Sequence, residues 1–292
     1  MMQKREAPDL ENHRVQRDIR LDPLPVSEVE RHRILVAEDN PANQAVLRMQ
    51  LDVLGCEADQ AADGVEALAK WRAGKHDLIL ADRNMPNMDG LELARFIRSL
   101  EKNGATHVPI IAITADHHRE EITRCRAAGM DDALPKPIAL DDLRGMLERW
   151  LPRASSEAGA SNDHGSGSPV REQAIALDLE QLARITGDSD VRQASALIDL
   201  FIRTARADLP VCHRYLSEKN GRSLAQYMHK LKSSARMVGA LRFADLAVTL
   251  EDAAKSKRFA ATKSLMVELE SALGDVAVAV NRINSSAGGE AE

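Results

Sequence analysis

The chain has 292 residues, 44% of them hydrophobic and 29% charged, a composition typical of globular proteins and a length sufficient for two domains. Its formal net charge of −6 argues against a protein devoted to nucleic acid or anionic membranes, and no apolar run approaches the roughly 20 residues needed to insert into a bilayer. The three cysteines are far apart and lack metal-like spacing, which favours a reducing cytoplasm.

The first half of the chain alternates between predicted strands and helices. Residues 1–31 are polar and irregular, and we interpret them as a flexible leader. Runs apolar on both faces, as buried parallel strands require, lie at 34–37, 78–81 and 108–113, with weaker strands at 57–62 and 132–136. Helical periods lie between them at 41–54, 64–73, 89–102, 118–128 and 140–151. Five strand–helix units predict a doubly wound α/β domain over 32–152.

The composition then changes twice. Residues 153–175 are rich in Gly, Ser and Ala and are predicted to be a flexible linker. From 176 to 285 the pattern is helical throughout, with a short helix near 178–186 and four long amphipathic helices after it. These predict an antiparallel four-helix bundle, followed by a disordered tail at 286–292.

Polar residues follow the predicted strands of the first domain. Three carboxylates, one hydroxyl and one ammonium stand at these strand ends: Glu38, Asp39, Asp82, Thr114 and Lys136. The carboxyl ends of parallel strands share one edge, so we expect these groups to converge. Converging carboxylates repel unless a hard cation such as Mg²⁺ joins them, and that set suits phosphoryl transfer. Asp82 stands alone after the central strand and is the best candidate nucleophile.

Four segments resemble the hallmark segments of two-component receiver domains: AEDNPANQ, LILADRNMPNMDG, IIAITAD and GMDDALPKPI. The resemblance implies a flavodoxin-like fold with Asp82 as phosphoacceptor, assisted by Thr114 and Lys136. It also implies Mg²⁺ bound by Asp39, Asp82 and the backbone carbonyl of Asn84, with Glu38 acting directly or through water. A cis bond after Lys136 is implied as well. Ala133 departs from the pattern, because receivers commonly carry an aromatic switch residue there.

The helix at 222–237 carries a histidine away from its apolar face. His229 lies roughly 160° around the helix from Leu231, so a core role is disfavoured. Lys232 and Ser233, at i+3 and i+4, are expected to flank it on the outer surface. A neutral imidazole is a competent nucleophile, and Lys232 supplies positive charge for a phosphoryl group.

The stretch YMHKLKSSARMVGA resembles the signature of histidine phosphotransfer (HPt) domains, with Ser233 replacing the usual glycine. The resemblance implies that His229 is the phosphohistidine. A receiver followed by an HPt domain is similar to the C-terminal end of unorthodox hybrid sensor histidine kinases in bacteria. No Gly-rich ATP-binding box is found, so we expect a phosphotransfer protein and not a kinase.

The predicted function is a reversible phosphorelay. A sensor histidine kinase phosphorylates Asp82, the group moves to His229, and a downstream response regulator receives it. One alternative is a phosphate sink or phosphatase-like modulator that loses phosphate from Asp82. Another is a DNA-binding regulator using Lys230, Lys232, Arg236 and Arg242 as a basic helix. The sequence leaves the direction of flux, the partners and the oligomeric state open.

Overall fold

The computed structural model describes residues 31–101, 106–114, 119–151, 176–187 and 191–288. The predicted leader, apart from Arg31, the linker at 153–175 and residues 289–292 lie outside the described residues. The α/β part contains five strands, β1 Arg33–Ala37, β2 Glu57–Ala61, β3 Leu78–Asp82, β4 Ile110–Thr114 and β5 Asp132–Pro135. Its helices are α1 Pro41–Val53, α2 Gly64–Ala73, α3 Gly90–Glu101, α4 Arg119–Ala127 and α5 Leu140–Trp150.

The strands form one parallel sheet in the order β2-β1-β3-β4-β5, the order of flavodoxin-like folds. Successive residues of the central strands point to opposite faces and bury there. Leu35, Ile79 and Ile110 belong to one apolar cluster, while Ile34 and Leu78 belong to the other. Helices cover both faces, so the doubly wound prediction is confirmed.

The helical part contains α6 Leu179–Thr186, α7 Val191–Ser217, α8 Gly221–Met237, α9 Leu241–Lys255 and α10 Phe259–Gly288. Phe201 of α7 and Phe243 of α9 are fully buried and meet edge to face, with ring centroids 5.4 Å apart. The predicted short helix and four long helices are all present. The predicted tail starts too early, because α10 continues to Gly288, where consecutive glycines disfavour helix.

A turn between α8 and α9 requires glycine. Gly239 has a φ of 74°, and a Cβ there would lie 2.5 Å from the backbone oxygen of Asp178. The close approach lets the Asp178 amide donate to the Gly239 carbonyl at 2.8 Å. The start of α6 is thereby fastened to the bundle.

Helix α1 packs against the helical part of the chain. Ala42 and Val46, on the side of α1 away from the sheet, are buried in the same apolar cluster as the bundle core. The buried Gln50 side chain donates to the carbonyl of Ile138 at 2.9 Å and to that of Ile185, on α6, at 2.7 Å. The two domains therefore share a continuous buried contact.

No helix in the described ranges combines the length and the apolar character that a membrane crossing requires.

Candidate functional site

The carboxyl edge of the sheet brings together the acidic side chains singled out in the sequence. Glu38 and Asp39 follow β1, and Asp82 is the last residue of β3. Each of the three offers a carboxylate oxygen, and these oxygens all lie within 4.8 Å of one another. Thr114, buried at the end of β4, accepts a backbone hydrogen bond from Lys136 at 2.8 Å. All five predicted strand-end residues thus occupy one edge.

Lys136 neutralises part of this negative charge. Its Nζ donates to Glu38 at 2.6 Å and to Asp82 at 2.7 Å, and its side chain is only 6% exposed. Burial alone would lower the pKa of Lys136, but the carboxylates of Asp82 and Glu38 outweigh it and raise that pKa above its ordinary value. The Lys136–Pro137 peptide bond is cis, as the resemblance implied.

Glu38 is the most constrained of the three carboxylates. Besides Lys136, it accepts hydrogen bonds from the Asn43 side chain at 2.9 Å and the Asn40 backbone at 3.3 Å. Burial raises the pKa of Glu38 to about 7, with Lys136 opposing this and the Asp82 charge adding to it. Its side chain is fully buried, whereas those of Asp82 and Asp39 are partly exposed, so Asp39 and Asp82 are the more accessible ligands for a cation.

The oxygen donors fit a hard divalent cation. Asp39 and Asp82 provide two carboxylates at the mouth of the cluster, and Mg²⁺ is held in proteins by one or two carboxylates together with water and phosphate oxygens. The backbone amide of Asn84 donates to Oδ1 of Asp82 at 3.3 Å, and this hydrogen bond holds the loop after β3 close to the Asp82 carboxylate. Burial raises the pKa of Asp39, and Lys230 partly offsets the effect.

His229 lies in the middle of α8 with its side chain 31% exposed. Its Nδ1 lies 3.3 Å from Glu251 on α9 and 3.2 Å from the Nζ of Lys232. With the proton on Nδ1, the ring donates to Glu251, and its other nitrogen, Nε2, keeps the lone pair needed to attack an electrophile.

Glu251 is a shared hydrogen-bond acceptor for His229 and two neighbouring lysines. It accepts hydrogen bonds from Lys232 at 2.9 Å and Lys255 at 2.6 Å, and its side chain is 7% exposed. Burial would raise the pKa of Glu251, but hydrogen bonds from His229, Lys255 and Lys232 lower it. Sequence reasoning missed Glu251, although a signal existed: it follows Ala244 by seven residues, on the buried stripe of α9.

Lys232 flanks His229, but the expectation that Lys232 and Ser233 lie on the open surface is wrong. Ser233 is 8% exposed and the Lys232 side chain 14%. Helix α8 packs against α7, α9 and α1 together, so its buried surface is wider than a single apolar stripe. Within the described part of the chain, the buried Ser233 hydroxyl has no hydrogen-bond partner.

A cleft of about 1190 Å³ lies between the sheet edge and α8. One wall carries Glu38, Asp39 and Asn84, and the other carries His229 and Lys230. The Nζ of Lys230 lies 3.8 Å from an oxygen of Asp39, so the two walls also form an ion pair. Two of the three clustered carboxylates, Glu38 and Asp39, therefore line the same space as the histidine.

Comparison with known proteins gives two family matches and several relatives. Residues 34–148 match the response regulator receiver domain, and residues 196–279 match the Hpt domain. The virulence sensor protein BvgS of Bordetella pertussis is 34% identical over 77% of this chain and 18% of its own length. The sensor protein EvgS of Escherichia coli K12 is 31% identical over 78% of this chain and 17% of its own length. The chain thus spans less than a fifth of either relative.

Among solved structures, a similar chain is the receiver domain of the sensor histidine kinase PA1611 from Pseudomonas aeruginosa PAO1, which has a magnesium ion coordinated in its active site cleft. It is 38% identical, covers 41% of this chain and 97% of its own, and aligns with a TM-score of 0.38. The two family matches follow one another along the chain in the order of its two structural parts. This chain is a two-component signalling protein that contains a response regulator receiver domain followed by an Hpt domain.

Proposed function

We propose that the chain is a phosphorelay intermediate in which Asp82 accepts a phosphoryl group and exchanges it with His229. A sensor histidine kinase donates to Asp82, and a downstream response regulator receives the group from His229. Both partners meet the chain in the bacterial cytoplasm. The relay is reversible, because each step exchanges one reactive phosphoryl bond for another.

The observation that carries the proposal is the shared cleft. Glu38 and Asp39, which cluster with Asp82, line one wall of it, His229 lines the other, and the Asp39–Lys230 ion pair joins those walls. A phosphoryl group bound at one wall is thus presented to the other within a single chain. Holding two reactants in one geometry replaces a bimolecular encounter with an effectively unimolecular step.

At the receiver wall, an Asp82 oxygen attacks the phosphorus of the kinase phosphohistidine. A P–O bond forms as the P–N bond breaks, and the kinase imidazole leaves. The Lys136 ammonium already contacts Asp82 and can donate to an oxygen of the phosphoryl group once it is bound there. The Thr114 hydroxyl donates to another phosphoryl oxygen. A divalent cation held by Asp39, Asp82 and the Asn84 carbonyl, with Glu38 directly or through water, would neutralise the remaining phosphoryl charge.

At the Hpt wall, Nε2 of His229 attacks the phosphorus of phospho-Asp82. A P–N bond forms, and Asp82 regains its carboxylate. Glu251 holds the Nδ1 proton of the imidazole and stabilises the positive charge that develops on the ring. The Nζ of Lys232 lies 3.2 Å from Nδ1 of that ring and supplies positive charge for the transferred group.

The test follows a labelled phosphoryl group from a promiscuous kinase and Mg²⁺ through five proteins. Wild type should accumulate label that survives alkali and is lost in acid, as phosphohistidine does. Asp82→Asn should take up no label from the kinase, and His229→Gln should hold only acid-stable, alkali-labile label. Asp89→Asn, a carboxylate of the same cleft, and His213→Gln, a histidine of the same bundle, are matched controls and should behave as wild type.

Label confined to Asp82 in every protein that retains this residue would refute the transfer to His229. That result would favour the alternative of a phosphate sink, in which Asp82 loses its phosphoryl group to water. Label on His229 in the Asp82→Asn protein would instead show that the kinase bypasses the receiver.

A further inference from the structure

One lysine stands between acidic groups of both domains. Lys230, next to His229 on α8, has its Nζ 3.8 Å from an Asp39 oxygen across the cleft. It also acts on Asp208 of α7: burial raises the pKa of Asp208, and the Lys230 charge offsets part of that rise. The charge of Lys230 therefore acts on two carboxylates, one from each domain.

The contact with Asp39 is the kind that exchanges easily. Its 3.8 Å separation lies at the outer limit of an ion pair and is too long for a hydrogen bond. The Lys230 side chain is 27% exposed, so water can replace part of the contact.

Asp208 offers a second place for the same ammonium. Its Oδ2 is buried and, among the described residues, has no hydrogen-bond partner. A buried carboxylate oxygen without a donor is costly, and a donor with a positive charge is its best partner.

We propose that Lys230 is an exchangeable tether between the domains, which pairs with Asp39 while the acidic cluster is free of a divalent cation and moves to Asp208 when a cation binds. The inference rests on the proposed cation site. A divalent ion on Asp39 satisfies that carboxylate and repels the ammonium beside it. Lys230 then completes the bonding of Asp208 on the neighbouring helix of its own domain.

The exchange of Lys230 couples cation binding to the contact between the domains, and this coupling is reciprocal. If a bound cation weakens the Asp39–Lys230 contact, that contact weakens cation binding by the same factor. The docked Hpt domain thus lowers the cation affinity of its own receiver, and a cation-loaded receiver is released more readily toward other partners.

The experiment measures binding of Mn²⁺, as a countable substitute for Mg²⁺, to the full chain through the electron paramagnetic resonance signal of the free ion. Lys230→Met should bind Mn²⁺ about tenfold more tightly than wild type, because a competing positive charge next to the site is gone. Arg222→Met removes one positive charge from the same cleft wall without touching Asp39, and should change affinity by less than about twofold.

Asp208→Asn tests whether Lys230 pairs with Asp208 when a cation is bound. It should weaken Mn²⁺ binding about threefold in the presence of Lys230, because the displaced ammonium loses its second partner, and should have no effect in the Lys230→Met background. Equal affinity of Lys230→Met and wild type, an equal gain in Arg222→Met, or an undiminished Asp208→Asn effect in the double variant would each overturn the tether.

Asp39→Asn separates this inference from the proposed function. Loss of Mn²⁺ binding in that variant establishes the cation site, so a failed Lys230 result then counts against the tether alone. Absence of Mn²⁺ binding in wild type would overturn both the tether and the cation site of the proposed relay.

Discussion

Lys136 gives the sharpest test of the electrostatics at the sheet edge. Its buried ammonium is hydrogen-bonded to Glu38 and Asp82, whose oxygens lie within 4.8 Å of each other. Replacing it with methionine keeps most of the length of the side chain and removes the charge. Two carboxylates at that separation repel by about 3.5 kcal/mol at an effective dielectric constant near 20. Breaking a buried ion pair by removing one partner commonly costs about 3–5 kcal/mol.

We therefore expect Lys136→Met to lower the free energy of unfolding of the receiver by about 3 kcal/mol in EDTA. With a urea m-value of about 2 kcal/mol per M, the midpoint falls by about 1.5 M. The assay is intrinsic fluorescence, because the two tryptophans of the chain, Trp71 and Trp150, both lie in the receiver. Saturating Mg²⁺ should stabilise the variant more than wild type, since the cation then supplies the missing positive charge.

The matched control is Lys70→Met. Lys70 pairs with Asp59 at 3.1 Å and Glu66 at 3.2 Å, but its side chain is 34% exposed. Pairs of that kind contribute about 0–1 kcal/mol. A Lys136→Met midpoint no lower than that of Lys70→Met, or one that Mg²⁺ shifts no more than it shifts wild type, would refute the reasoning.

Three further predictions concern the bundle and the domain contact. Phe201→Ala removes one ring of the buried Phe201–Phe243 pair and should lower the free energy of unfolding of the Hpt domain by about 3–5 kcal/mol. Phe96→Ala, at an exposed site, should lower the free energy of unfolding by under about 1 kcal/mol. Urea denaturation followed by circular dichroism measures both changes. Hydrogen bonds lower the pKa of Glu251 below its ordinary 4.5 in spite of burial, so the ionised carboxylate stabilises the folded bundle fully above that pH and loses this contribution as the pH falls. The urea midpoint should therefore fall less between about pH 5 and pH 3 in Glu251→Gln than in wild type. Equal slopes of midpoint against pH in the two proteins would contradict this. Gln50→Leu leaves the Ile138 and Ile185 carbonyls without their donor, so backbone amides of α6 should exchange hydrogen at least about tenfold faster than in wild type, while Gln44→Leu, on the same helix, should leave α6 unchanged.

The sheet could be predicted because its strands are apolar on both faces, which only a covered parallel sheet explains. The positions of Glu38, Asp39 and Asp82 then followed from the rule that parallel strands end at one edge. Residue types at strand ends were enough to place the acidic cluster, with no knowledge of loop geometry. The edge strand β2 was the weakest prediction, since three of its five residues are half-buried and polar groups interrupt its pattern.

The surroundings of His229 depended on helix packing that one helix cannot reveal. The periodicity of α8 places His229 away from Leu231 correctly, but it does not show that Lys232 pairs with Glu251 of α9 or that Ser233 is buried. Glu251 is distant in sequence and becomes visible only when α8 and α9 are paired. Likewise, α1 has one apolar stripe for the sheet and a second, containing Ala42 and Val46, for the bundle.

The packed bundle also bears on the basic-helix alternative. Lys232 is paired with Glu251, and Lys230 with Asp39. Arg242 is paired with Asp275. These cations are distributed among carboxylates of different elements and do not form one open basic face, so the geometry favours the relay over nucleic-acid binding.

In the proposed relay, a phosphoryl group passes between Asp82 and His229 of the same chain. The most direct measurement is the rate of that transfer in rapid-quench experiments on chain loaded at Asp82, over a hundredfold range of protein concentration. Transfer within one chain predicts a rate that is independent of concentration and faster than transfer from His229→Gln to Asp82→Asn mixed at micromolar concentration. A rate that rises in proportion to concentration and equals that of the mixture would contradict it.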